Sequence, residues 1–173
     1  MAAKKRFTIY LTRDVSKKNN KPFWVSGEIN IRTVMDELGA SKVCMEIPGK
    51  IEDEENTLQL NFKPAWADKM QKLEEKNSPD NKFKNVSLPM WFRENVRKNG
   101  EKVMGNNSPN YNILDLQDLL GSNVQARIFL NRSPNKKENS PSLSVSFGTA
   151  SKKGANQKQR TAEASVPSDD SPF

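Results

Sequence analysis

Near the start of the chain, apolar and polar residues alternate in two stretches. From Arg6 to Thr12, the apolar residues fall on one side of an extended chain and Tyr10 falls on the other, which predicts a half-buried strand. The apolar set is Phe7, Ile9 and Leu11. A polar segment at 14–22 follows, and residues 23–32 alternate again. We therefore expect a long hairpin with a basic loop between its strands.

The second strand of this hairpin has an inward and an outward set of side chains if one parity holds throughout. The inward set is Phe23, Val25, Ile29 and Ile31, and the outward set is Trp24, Ser26, Glu28, Asn30 and Arg32. Gly27 falls on the inward side, where a core side chain is expected. A glycine at this position favours a β-bulge or a sharp coil in a strongly curved sheet.

Four later stretches alternate in the same way and predict further strands at 42–47, 57–62, 123–132 and 142–148. Their core-facing residues are Val43, Met45, Ile47, Leu58, Leu60, Phe62, Val124, Ala126, Ile128, Leu130, Leu143, Val145 and Phe147. The last two strands are joined by the polar residues 133–141, which predict a second hairpin with a basic loop.

Two stretches have a helical period. Trp66, Met70 and Leu73 recur at spacings of four and three after Pro64, which predicts a helix. Residues 113–121 favour one or two helical turns that stop at a C-terminal glycine. We treat residues 82–112, between them, as an insertion with a strand or short helix at 90–96.

Together these elements predict a mainly β domain over residues 1–148. About five or six strands, with a helical insertion at about 64–121, fit an OB-fold, which is a small Greek-key barrel. Another small curved barrel or a sandwich would produce the same alternation. Residues 149–173 have almost no apolar residue before Val166 and are rich in Gly, Ser, Gln and Lys, which predicts a flexible tail.

Composition argues against several kinds of active site. The 173 residues include no histidine and a single cysteine, Cys44, so no Cys/His zinc site can form. The apolar residues on either side of Cys44 favour a buried thiol over a reactive one. The acidic run at 52–55 predicts a solvated turn, because consecutive carboxylates do not converge on one ion. We expect no cofactor and no enzymatic activity, and a metal-dependent nuclease is a distant alternative.

The apolar segments are too short to cross a bilayer, and the first residues turn polar too early for a secretory signal. A cytoplasmic protein with no membrane partner is therefore expected. The formal charge of +7 favours a polyanionic partner, and nucleic acid is the first candidate because Lys and Arg release counterions from phosphates.

Three aromatic rings fall on the outward parity of the predicted strands. They are Tyr10, Trp24 and Phe129, and Arg6, Arg32 and Arg127 flank them. The neighbouring loops carry Lys17, Lys18, Lys21, Lys136 and Lys137. Rings that stack unpaired bases, together with cations that follow the backbone, are typical of proteins that bind single-stranded nucleic acid. We expect these residues to form the binding surface.

Other interpretations of the rings stay open. A helix or the insertion could cover them and make a second small core, and each ring alone is at least as easily explained in this way. An RNA-binding or RNA-chaperone module would share the rings and cations. A small adaptor protein would bury them in a protein interface instead.

The final residues resemble a known sequence ending. The segment "SDDSPF" places two carboxylates and a proline before Phe173, after a segment whose four cations all lie between 152 and 160. This ending resembles the acidic tip of bacterial single-stranded-DNA-binding proteins, in which a flexible linker leads to acidic residues and a final Pro-Phe. The linker and the order of barrel elements are similar more loosely.

The resemblance implies an OB-fold protein of replication, recombination or repair that coats single-stranded DNA, in a divergent version of the kind a bacteriophage would encode. It implies that the tip binds partner proteins through Asp169, Asp170, Pro172 and Phe173. The ring of Phe173 would fill a pocket, while its α-carboxylate and the two aspartates meet basic groups. Two tip aspartates and Ser171 before Pro-Phe depart from the family pattern. The sequence leaves open whether copies of the chain form a homo-oligomer.

Overall fold

The computed structural model of the protein describes residues 6–66, 68–74, 76–77, 84–96, 99–134, 137 and 139–149. Within them the chain forms ten strands and two helices. The strands are β1 (Phe7–Val15), β2 (Pro22–Asn30), β3 (Lys42–Pro48), β4 (Thr57–Pro64), β5 (Lys76–Asn77), β6 (Lys84–Val96), β7 (Lys102–Asn107), β8 (Tyr111–Asn112), β9 (Asn123–Leu130) and β10 (Leu143–Thr149). The helices are α1 (Ile31–Leu38) and α2 (Ile113–Leu120).

The sheet closes on itself as an antiparallel barrel. Neighbouring strands run in the order β10, β9, β2, β1, β4, β3, β7, β6, and β6 pairs again with β10. The short strands β5 and β8 attach to β6 and β3. Closure pairs the edges that an open sheet would expose. The predicted fold class is confirmed: the protein is mainly β, with an OB-like barrel.

The interior of the barrel is apolar and follows the predicted alternation in most strands. The odd-numbered residues of β3 and the even-numbered residues of β4 are buried from 43 to 47 and from 58 to 62. In β9 and β10 the predicted inward residues are buried as well, except Leu130, which is half-buried. In β1, Leu11 is buried, and Phe7 and Ile9 pack against the core from its margin.

β2 carries a bulge at Ser26 and Gly27. Its pairing with β9 shifts by one residue between Val25 and Glu28, so that two residues of β2 stand opposite one residue of β9. The bulge predicted at Gly27 is therefore confirmed. One extra residue inverts the alternation of inward and outward side chains, so the two ends of β2 have opposite parities.

Trp24 is for this reason a core residue, and its predicted outward position is wrong. It has no exposed surface, and its indole N–H donates to the carbonyl oxygen of Glu55 at 2.8 Å. Phe23 and Val25 were predicted to point inward, but they are half-buried and share the outward parity of β2 before the bulge. Beyond the bulge, Ile29 is buried as predicted.

The strand predicted through Arg32 ends instead at Asn30, where α1 begins. The Asn30 side chain accepts from the Thr33 backbone N–H at 3.0 Å, which caps the helix. Gly39 ends the helix with a φ of 65°, a left-handed conformation that glycine adopts easily. Residues Ile31, Val34 and Leu38 are buried on one face of the helix. The cap and this spacing are the signals that the strand interpretation overlooked.

The predicted insertion at 64–121 contributes more strand than helix. Its end is helical as predicted, since α2 stops at Gly121. The helix predicted over Trp66 to Leu73 is wrong, because the described residues there are not helical. Within this segment the Gln71 N–H donates to the carbonyl oxygen of Asn110, and just before it the Ala65 N–H donates to the carbonyl oxygen of Lys42.

β6 and β7 are strands of the barrel. Residues 90–96, for which we expected a strand or a short helix, therefore belong to a strand. Neither helix in the described residues approaches the length or apolar character of a membrane span. The predicted flexible tail lies outside the described residues, apart from Thr149.

Candidate nucleic-acid interface

Two hairpins lie side by side in the barrel wall. One consists of β1 and β2 and the other of β9 and β10, and they meet because β2 pairs with β9. Trp24 near the start of β2 is opposite Ile128 near the end of β9. The loops 16–21 and 131–142 therefore emerge at the same end of the barrel, which we call the loop end. The sequence predicted both loops, but only the pairing of β2 with β9 places them together.

The outward residues of these hairpins form one surface, which we call the hairpin face. Its members are Tyr10, Thr12, Asp14, Phe23, Val25, Arg127, Phe129, Ser144 and Ser146. Across the strands, Phe129 is opposite Ser144, and Arg127 is opposite both Val25 and Ser146. Residues opposite one another on neighbouring strands therefore form rows across this face. The row that contains Phe129 lies next to the row that contains Arg127.

Phe23 and Phe129 form a stacked pair at the loop end of the face. Their ring centroids are 5.5 Å apart and the ring planes differ by 18°. Phe129 is 40% exposed. The two rings support each other in an upright position, while Asp14 lies beyond Phe23 and Ser144 lies beyond Phe129. This arrangement leaves an aromatic face available for a flat partner.

Tyr10 is the second exposed ring that the sequence predicted correctly. It is 63% exposed and lies four residues before Asp14 in β1, or about 13 Å along the strand. Arg127 lies in the row between the levels of Tyr10 and Phe129, and its guanidinium donates to the Gln125 side chain at 3.5 Å. Burial lowers the pKa of Arg127, while the carboxylate of Asp14 acts in the opposite direction. Arginine stays charged in either case, so the hairpin face carries a cation in the row next to the stacked rings.

The first loop presents its lysines to solvent on an ordered backbone. Lys17, Lys18 and Lys21 are all exposed, as predicted. The Ser16 hydroxyl accepts from the Lys18 N–H at 3.2 Å, and the Asn19 side chain accepts from the Lys21 N–H at 3.0 Å. Local bonds of this kind are the reason that Ser and Asn favour turns. A shallow depression joins Lys21 to the two stacked rings.

The second loop is partly neutralised by the acidic turn between β3 and β4. Arg132 lines the same depression as Lys21 and forms a salt bridge with Asp53 at 2.7 Å. Lys137 is exposed, as predicted, and Lys136 lies outside the described residues. All four acidic residues at 52–55 are exposed, which confirms the predicted solvated turn. The cations of the first loop are thus the less restrained set.

Two predicted contacts, Trp24 and Arg32, do not belong to the hairpin face, and Arg6 lies at its margin. Trp24 is sealed in the core. Arg6 precedes β1 and Arg32 lies in α1, so both are exposed at the end of the barrel opposite the loops. From Pro22 to Arg32 the chain runs the full length of β2, and Arg32 is roughly 25 Å from the loop end. Arg32 therefore does not flank the rings, while Arg6 lies four residues before Tyr10, or about 13 Å along the chain.

The structure adds residues that the sequence pattern had not assigned to the site. Phe23 replaces Trp24 as the ring of β2, and the inversion of parity at the bulge was the missing signal. Trp91 and Arg93 extend the outward row of β6, with the guanidinium carbon 5.6 Å from the ring centre. The Trp91 N–H donates to the Asn139 carbonyl at 3.0 Å, which ties the ring to the second loop.

A second polar cluster lies on β3, β4 and β6, but its members satisfy one another. The buried carboxylate of Glu46 is 3.5 Å from the Lys63 ammonium and accepts from the Asn95 side chain at 3.1 Å. Nearby Cys44 is half-buried, and burial raises the pKa of its thiol, so little thiolate forms near neutral pH. In the part of the chain that the structure describes, no group of three or more candidate ligands could hold a metal ion.

Comparison with protein-family models, with curated proteins and with solved structures gives no match to this chain. The interpretation of the hairpin face therefore depends on its own residues. The predicted partner-binding residues Asp169, Asp170, Pro172 and Phe173 lie outside the described residues.

Proposed function

We propose that this protein binds single-stranded DNA without strong sequence preference and protects it during replication, recombination or repair. The observation that carries the proposal is the stacked pair on the barrel wall, in which an exposed Phe129 packs on a half-buried Phe23 beside two loops that bear lysines. Tyr10 and Arg127 continue the same face.

The chemistry of this face matches what an unpaired strand offers. Exposed ring faces stack with any base, at about 1–3 kcal/mol per base, so binding is tolerant of sequence. Lysines on a loop attract phosphates as mobile point charges. In a duplex the base faces are already stacked on one another, so upright rings on a convex wall have no equivalent partner there. Neither the stacking of bases nor the attraction of phosphates needs a catalytic group, and we propose no enzymatic activity.

The decisive measurement is fluorescence anisotropy of a labelled poly-dT oligonucleotide titrated with the protein at several salt concentrations. We expect log K to fall linearly with log salt, by about 0.7 for each phosphate contact. Competition with a matched RNA strand separates DNA binding from RNA binding, because only RNA has a 2′-hydroxyl. Absence of binding, or affinity that is independent of salt, would contradict the proposal and favour a protein-binding adaptor.

The loop lysines should account for part of the salt dependence. Replacement of Lys17, Lys18 and Lys21 by glutamine is expected to reduce the slope by about 2, because three phosphate contacts at about 0.7 each are lost.

The matched control replaces three other exposed lysines that lie outside the hairpin face, Lys42, Lys69 and Lys72. It removes the same net charge. If the control reduces the slope equally, the binding is a general effect of charge and the loop is not part of the site.

For the acidic segment at the end of the sequence we propose partner binding, on the basis of its resemblance to the tip of bacterial single-stranded-DNA-binding proteins. An aromatic ring that enters a pocket supplies affinity, and carboxylates beside it orient the segment on a basic rim. The proposed contacts are Asp169, Asp170, Pro172 and Phe173.

Deletion of residues 169–173 tests this second role separately. We expect capture of replication or repair proteins by the immobilised protein to be lost, while binding of poly-dT is unchanged or tighter because negative charge is removed. Phe173→Ala should lose capture as well, and Ser168→Ala should retain it. Parallel loss of capture and of DNA binding would mean that the segment has a different role.

A further inference from the structure

A narrow slot lies on the far side of Phe129 from its stacking partner. Ser144 of β10 is directly opposite Phe129 of β9 on one side and Pro89 of β6 on the other. The small side chain in the middle leaves a gap between a ring wall and a proline wall. The depression has a volume of about 400 Å³. Its lining includes Ser87, Pro89, Phe129, Asn131, Pro141 and Ser144.

The spacing of the strands sets the width of this slot. Adjacent strands are about 4.8 Å apart, so the backbones that carry Phe129 and Pro89 are roughly 9.6 Å apart. A flat ring in contact with both walls needs about 7–8 Å, twice the usual distance between carbon atoms in contact. The spacing of the backbones therefore leaves room for one planar group between the ring and the proline.

The ends and floor of the slot are also suited to a base. The Asn131 side chain donates to the Pro141 carbonyl at 2.9 Å, which holds the base of the second loop closed against the slot. Proline at position 89 donates no backbone N–H, and it presents an apolar ring to the gap. The Ser144 side chain lines the depression, and a hydroxyl can both donate to and accept from the edge of a bound base.

We infer that this slot holds one unpaired nucleobase, stacked between Phe129 and Pro89 above Ser144. The inference rests on the proposed function and refines it, because it assigns one base of the bound strand to a defined position. Nucleic-acid enzymes hold an extruded base between aromatic and apolar side chains in the same manner. The mutual contact of Phe23 and Phe129 occupies the other side of the Phe129 ring, so the base enters from the β10 side.

The test fills the slot with a larger side chain and measures whether the contribution of one base to binding is lost. Ser144→Leu occupies the floor, and the matched control Ser122→Leu places the same side chain at an exposed position just before β9, at the end of the barrel away from the loops. Each variant is titrated with a labelled poly-dT strand and with a strand of equal length that lacks bases. We expect Ser144→Leu to bind poly-dT about 5- to 150-fold more weakly, the loss of one stacked base, and to bind the abasic strand as the wild type does. Ser122→Leu should match the wild type within about twofold on both strands.

Equal affinity of Ser144→Leu and wild type for poly-dT would overturn the slot while leaving the proposed function intact. The same fold loss on both strands would also overturn it, since the substitution would then act on phosphate binding or on folding. If the wild type itself binds neither strand, the proposed function fails, and the slot with it. Should the leucine variant unfold, Ser144→Thr applies the same comparison with a smaller added group and a smaller expected loss.

Discussion

Replacement of Phe129 by alanine is expected to weaken binding of poly-dT by about 5- to 150-fold. The ring is the wall shared by the stacked pair and the slot, and loss of one stacked base accounts for about 1–3 kcal/mol. Because Phe129 is on the outer surface, the free energy of unfolding should change far less than it would for a core ring. Anisotropy titration gives the affinity, and urea denaturation gives the stability.

Two further variants make this result specific. Tyr10→Ala removes the other exposed ring and should reduce affinity within the same range. Trp66→Ala is the matched control, since this ring is 85% exposed but follows β4 at the end of the barrel away from the loops. Wild-type affinity in both Phe129→Ala and Tyr10→Ala would show that the hairpin face is not the binding surface. A loss in Trp66→Ala as large as theirs would lead to the same conclusion.

Replacement of Trp24 by alanine is expected to reduce stability and not nucleic-acid contact. Trp24 is fully buried, and truncation of a buried tryptophan to alanine costs about 3–5 kcal/mol. The N–H bond to the Glu55 carbonyl, at 2.8 Å, is lost as well. Because the whole domain is stable by about 5–15 kcal/mol, the midpoint of urea denaturation should fall by about a fifth of its value or more.

Trp24→Phe separates the effect on folding from an effect on binding. It keeps an aromatic ring in the core and removes the indole donor, so we expect a smaller loss, with a deleted hydrogen bond contributing about 0.5–1.5 kcal/mol of it. The folded variant should bind poly-dT within about twofold of the wild type. Strong weakening of DNA binding in a stable Trp24→Phe protein would contradict the burial of this ring.

Much of the fold followed from local patterns in the sequence. The alternation in β1, β3, β4, β9 and β10 identified both the strands and their buried faces, because one face of each is in the core and the other faces outward. Gly121 identified the end of α2, and Gly27 identified the bulge. The outward positions of Tyr10 and Phe129 came from the same period of two.

The errors arose where a local pattern has two structural solutions. At β2, the sequence indicated an irregularity but not that it inserts a residue opposite β9, and this insertion exchanged Trp24 for Phe23 on the outer surface. From Trp66 to Leu73, the chain did not follow its helical spacing, and the Gln71 N–H bonds instead to the carbonyl oxygen of Asn110, which is distant in sequence. Near Arg32, the first apolar residue of α1, Ile31, continued the alternation of β2. The predicted strand was therefore extended past Asn30, which in the structure caps the helix.

The sequence by itself determined that the chain forms a β domain, which side chains of most strands are buried, and that its charge suits a polyanion. Those properties are local, because they depend on the period of the side chains and on composition. Only the tertiary structure decided that the two basic loops share one end of the barrel and that Phe23 stacks on Phe129. It also decided that Phe129, Ser144 and Pro89 lie in one row. Each of these depends on which strands become neighbours and in what register, and pairing between distant segments is not written in either segment alone.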